Sequence, residues 1–106
     1  MKLKRTSLAA GLLVLSFGCS PGFAQEVKAG MALVEQNCAR CHAVSLTDSS
    51  AHKQAPSFKE VVKRYPPSSL AEALAEGITT GHPDMPEFVF SPDQIGELIA
   101  YLESLQ

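Results

Sequence analysis

Cys38-Ala39-Arg40-Cys41-His42 is the stretch from which the rest of this 106-residue chain is best read. Two thiols at C-x-x-C spacing with a histidine directly behind them match the attachment pattern of a c-type haem. The spacing follows from the chemistry. Two thiols can add to two vinyl groups on neighbouring edges of a porphyrin, and the adjacent imidazole then reaches the iron from the same side. A thioredoxin-like dithiol would need a βαβ setting, which the surrounding sequence lacks. A zinc centre would need a fourth ligand, and only the distant His52 or His82 offers one.

The N-terminus says where such chemistry takes place. Lys2, Lys4 and Arg5 precede an apolar run from Leu8 to Phe17, about half of what a membrane-spanning helix requires. Pro21, Gly22, Phe23 and Ala24 follow, with small residues at the two positions a signal peptidase reads. This is the layout of a secretory signal peptide over residues 1–24, cleaved after Ala24 to leave a domain of residues 25–106 in the periplasm. A lipid anchor through Cys19 is the minor alternative, with Leu15 one position too far upstream for that motif. Removing the signal leaves six basic residues against eleven acidic ones, a net charge of −5. So acidic a chain lacks the basic footprint of a nucleic-acid binder. It also leaves only Cys38 and Cys41, which could close no more than a tiny local disulfide loop. A short domain needs some other staple, and a haem would supply it.

The remaining pattern is helical, with no convincing strand. Val27, Met31 and Val34 share a face of a first helix ending near Asn37, with Gly30 beside them. A second helix opens at Ser57 with Glu60 placed for a capping box, and Pro66 and Pro67 stop it. A third opens at Ser69 with Glu72 three residues on and ends at Gly77. In the fourth, Ser91, Pro92, Asp93 and Gln94 form a complete start signal before Ile95, Leu98, Ile99, Leu102 and Leu105. Two long loops, 43–56 and 78–90, are poor in apolar residues and are expected to wrap around something.

A second iron ligand is sought in those loops. Met31 lies on an apolar helix face, where packing explains it. Met85 sits in Gly81-His82-Pro83-Asp84-Met85-Pro86, where no helical periodicity does, and two prolines restrict the loop. His52 and His82 are rival ligands or solvated loop histidines.

Over nearly its whole length the mature chain resembles the small class I bacterial cytochromes c. The features carrying the likeness are Cys38-Ala39-Arg40-Cys41-His42 after a first helix, Ala55-Pro56-Ser57-Phe58 in mid-chain, Met85-Pro86, and a closing helix with Leu98 and Tyr101. The resemblance implies an all-α fold of about four short helices around one covalently attached haem c. Its first and last helices would cross where Gly30 and Val34 meet Leu98 and Tyr101. It implies Cys38 and Cys41 as haem attachment points and His42 and Met85 as axial ligands. The Pro56 carbonyl would steady His42, although Ala55 stands where many members carry glycine. Arg64 and Tyr65 match a region where a haem propionate is reached in some members.

The expected protein is thus not an enzyme but a monomeric single-electron carrier between periplasmic redox proteins. It would not be an integral membrane protein. Two alternatives stay open: a dedicated haem subunit of a periplasmic dehydrogenase, or a haem sensor or peroxidase-like protein if Met85 is not a ligand. Lys53, Lys59, Lys63 and Arg64 lie apart from the mostly acidic later segments, an asymmetry that could orient a transient partner.

Overall fold

The computed structural model describes residues 3, 10–18, 21–78 and 82–106. Lys2, Lys4, Arg5, Leu8 and Cys19, on which the export and lipid-anchor readings rest, lie outside the described residues, as does Gly81. The described part of the apolar run, residues 10–18, is exposed and has no regular secondary structure. Four helices follow: α1 (Pro21–Asn37), α2 (Phe58–Arg64), α3 (Pro67–Glu76) and α4 (Pro92–Ser104). Among the described residues there is no strand, and no helix is long and apolar enough to cross a membrane.

The frame is the pairing of α1 with α4, against which α3 also packs and which α2 touches more lightly. The two helices approach until backbone meets backbone. A Cβ on Gly30 would lie 2.6 Å from the Glu97 carbonyl carbon and 2.8 Å from Tyr101 Cβ. Only glycine allows that approach. Around the crossing, Val34, Val44, Leu98 and Tyr101 form the buried cluster, with Val27, Leu33, Phe58, Leu74 and Phe90 packed against it.

Met31 does not join this core; it is 42% exposed. At about 100° per residue it sits roughly 60° from Val34 on the side away from Leu33. The close contact at Gly30 rotates the buried face toward Leu33 and leaves Met31 on the flank.

The helix ends differ from the sequence expectations in three places. α1 begins at Pro21, six residues before Val27 and upstream of the expected cleavage point. Ser57 occupies the N-cap of α2, but its side chain makes no capping bond, so the box with Glu60 does not close; Glu60 pairs with Lys63 instead. α3 begins two residues before Ser69, with Pro67 in its first turn. The fixed φ of proline is already helical, and its missing N–H is needed by no helical carbonyl there. At α4 the box is complete: Ser91 Oγ accepts from the Gln94 amide, and Gln94 Oε1 accepts from the Ser91 amide. Gly77 ends α3 with φ of 92°, a left-handed conformation that favours glycine.

Candidate functional site

The Cys38–His42 segment is a tight turn driven by the end of α1. The amides of Cys38 and Ala39 donate to the Val34 carbonyl at 2.8 and 3.0 Å. The Cys38 carbonyl in turn accepts from the amides of Cys41 and His42 at 3.1 and 2.9 Å. The anchor of the turn is therefore Val34, the most deeply buried core side chain. Both cysteines are free and half-buried. Burial pushes the Cys38 thiol up to about 11, so it is held as a neutral thiol.

His42 is oriented from two sides. Its Nδ1 lies 2.7 Å from the carbonyl oxygen of Pro56. A carbonyl can only accept, so Nδ1 carries the proton and Nε2 presents a lone pair. Phe58 supports the ring at a centroid distance of 5.4 Å and a tilt of 48°. Phe58 is itself held to the segment behind His42, its amide donating to the Ala43 carbonyl at 2.9 Å. The imidazole is thus in the tautomer and orientation of a metal ligand, with a carbonyl behind it that fixes both.

The loop after His42 is built from small polar side chains. Ser50 Oγ accepts from the Ala43 amide at 2.9 Å. The Asp48 carboxylate accepts from the amides of Val44 and Ser45 and from the Ser45 hydroxyl, at 3.0, 2.9 and 2.7 Å. The Ser45 hydroxyl, helped by those amides, holds Asp48 below its usual carboxylate value despite some desolvation. From α4, the Tyr101 hydroxyl donates to the Val44 carbonyl. Burial, and then the negative charges of Glu35 and Asp48, push that phenol up, so it remains a donor. The helix crossing and the Cys38–His42 turn are joined through this bond.

Met85 is half-buried, in a turn where its amide donates to the His82 carbonyl at 3.2 Å. Its loop is tied to the loop behind His42 by side chains far apart in sequence. His52 Nε2 meets Asp84 Oδ2 at 3.1 Å, and His82 Nε2 meets Gln54 Oε1. The His52 amide donates to the Cys41 carbonyl at 3.1 Å, so the clasp leads directly back to the motif. Phe88 and Phe90, just beyond Met85, stack at 5.9 Å. Arg64 and Tyr65 are both exposed.

Sequence reasoning passed over several of these positioning residues. Asp48 and Ser50 were visible as a Ser/Thr/Asp cluster in Ser45–Ser50, the composition of a side-chain-stabilised turn. Gln54 and Asp84 gave no comparable signal, because their partners lie 28 and 32 residues away.

Known proteins match the chain in sequence. Residues 25–102 match the family model described as cytochrome C oxidase, cbb3-type, subunit III. A cytochrome c-552 of Bradyrhizobium diazoefficiens is 33% identical over 95 residues, covering 90% of this chain and 89% of the relative. No solved structure matches.

Proposed function

From the chain's membership of the cytochrome c family, whose cbb3-type oxidase subunit III model spans residues 25–102, we infer a periplasmic carrier of single electrons with His/Met ligation. The family carries covalently bound haem c and transfers electrons through it. When bound, that group supplies an iron that gains and loses one electron. In this reading Cys38 and Cys41 would hold the haem through thioether bonds, and His42 Nε2 and Met85 would ligate its iron.

The observation that carries the reading is the hydrogen bond from His42 Nδ1–H to the Pro56 carbonyl. It leaves Nε2 as the only lone-pair nitrogen, and it sits beside two free cysteines on one short turn. That donor set suits the group. The clasp between residues 52–54 and 82–84 ties the Met85 loop to the loop behind His42. A thioether opposite imidazole raises the reduction potential and leaves no coordination position for a substrate. Pro83 and Pro86 limit the conformations open to Met85 and lower the entropy lost when its sulfur is fixed.

Export fits the same picture. The family match opens at residue 25, the first residue after the cleavage point inferred behind Ala24. Cleavage there removes the first four residues of α1 and none of its contact with α4 at Gly30. The mature chain, at −5, suits a redox partner that presents a basic face.

The oxidised holoprotein should show a weak far-red methionine-to-iron band, and Met85→Ala should abolish it and lower the potential. A wild-type spectrum that is high-spin, and shifts on adding carbon monoxide or peroxide to the protein, would sink the carrier and favour a sensor or peroxidase-like role.

A further inference from the structure

We propose that His52, His82 and Asp84 form a surface binding site for one divalent transition-metal ion, zinc or copper, separate from the haem iron. One ligating atom from each residue lies within 4.8 Å of the other two. His52 Nε2 and Asp84 Oδ2 are already 3.1 Å apart. A tetrahedral zinc with nitrogen and carboxylate ligands holds them about 3.3 Å from one another. The cluster therefore has to contract by no more than about 1.5 Å, which side chains on a loop surface can supply. Two imidazoles and one carboxylate are the donor set of an open zinc site, with water in the fourth position. Asp84 is 66% exposed and the His52 side chain 30%, so the site stays open to ions from solution.

The histidines share one local device. The amide two residues on donates back to Nδ1, from Gln54 to His52 at 3.1 Å and from Asp84 to His82 at 3.2 Å. Each neutral ring therefore carries its proton on Nε2, which His52 donates to Asp84 and His82 to Gln54. Loading through Nε2 moves each proton to Nδ1. The two amides then turn to water, a small loss at an exposed site. The rings, 5.4 Å apart and nearly perpendicular, leave room for an ion between their edges. A bound ion would replace the weak hydrogen-bonded clasp with a coordinate crosslink between the loop behind His42 and the Met85 loop. Binding to the folded state alone would raise its stability. None of this depends on whether Met85 ligates iron.

The test is zinc titration of the haem-loaded protein. Calorimetry should give one saturable equivalent, weakened tenfold or more in each of His52→Ala, His82→Ala and Asp84→Asn, and unchanged in Lys53→Ala. In the ferrous wild-type protein, long-range nitrogen–proton NMR should show both rings changing from the Nε2–H to the Nδ1–H tautomer as zinc saturates. That second readout needs no variant to fold. Binding of several weak equivalents alike in all variants, or a tautomer change at one ring only, would overturn the site.

Discussion

The crossing of α1 with α4 and the clasp between the two loops hold the same small molecule by opposite means. At the crossing, backbone approaches backbone at Gly30, and Val34, Leu98 and Tyr101 exclude water. At the clasp, half-buried imidazoles and exposed carboxylate and amide groups make single hydrogen bonds in solvent's reach. Buried apolar contacts and steric fit contribute kilocalories, whereas exposed polar pairs contribute tenths to about 1 kcal/mol. The difference teaches a division of labour. The crossing sets where the Cys38–His42 turn is, and the clasp ties the Met85 loop to the loop behind His42. Val44 couples the crossing to the start of the loop behind His42, lying in the core while its carbonyl and amide hold Tyr101 and Asp48.

The largest effect is expected at the crossing itself. Gly30→Ala places a Cβ against the Glu97 backbone, which cannot rotate away as a side chain could. Chemical denaturation should show a loss of about 3 kcal/mol, as for an overpacked core. A loss below about 0.5 kcal/mol would mean the helices separate freely and would break the contrast with the clasp.

A middle effect is expected where the crossing meets the loop behind His42. Tyr101→Phe keeps the packed ring but removes the donor to the Val44 carbonyl. Stability should fall by about 1–2 kcal/mol, the cost of an unpaired buried acceptor. Hydrogen exchange should quicken in residues 43–50 more than in α4, because the lost bond anchors the loop rather than the helix.

The smallest effect is expected in the loop, and it depends on pH. Asp48 is held below its ordinary value of 3.8 in the folded protein. Between the lowered folded value and the unfolded one, the unfolded chain binds more protons, so stability rises with pH. The contribution is complete above the unfolded value and is lost as pH falls through the folded one. Asp48→Asn should flatten the acid limb of the stability curve and leave its slope near neutrality unchanged. An unaltered acid limb would show that the Ser45–Asp48 turn adds nothing to folding.

How much of this was legible in the chain depended on how local the physics was. The Ser91–Gln94 box is a four-residue device, and it closes as the residues require. The same pattern at Ser57 stays open, because Glu60 finds Lys63 one turn on, and a side chain choosing between two partners is decided by competition. At the third helix Ser69 and Glu72 carry a start pattern, yet Pro67 is sterically the better opening and the helix begins there. Met31 showed the limit of periodicity. A 3.6-residue repeat identifies an apolar face but not its centre, which the Gly30 contact set from outside the helix.

By itself the sequence determined the chemistry-bearing turn, the helical class and the number of helices. Those rest on spacing within five residues, on propensity and on caps, all of which act over one or two turns of chain. Only the tertiary structure decided that His42 presents Nε2, because the carbonyl taking its Nδ1 proton lies fourteen residues away on Pro56. Only folding brought His52, Gln54, His82 and Asp84 together across about thirty residues. Their meeting depends on loop closures that the α1/α4 crossing makes possible, and no local pattern encodes the position of a distant partner.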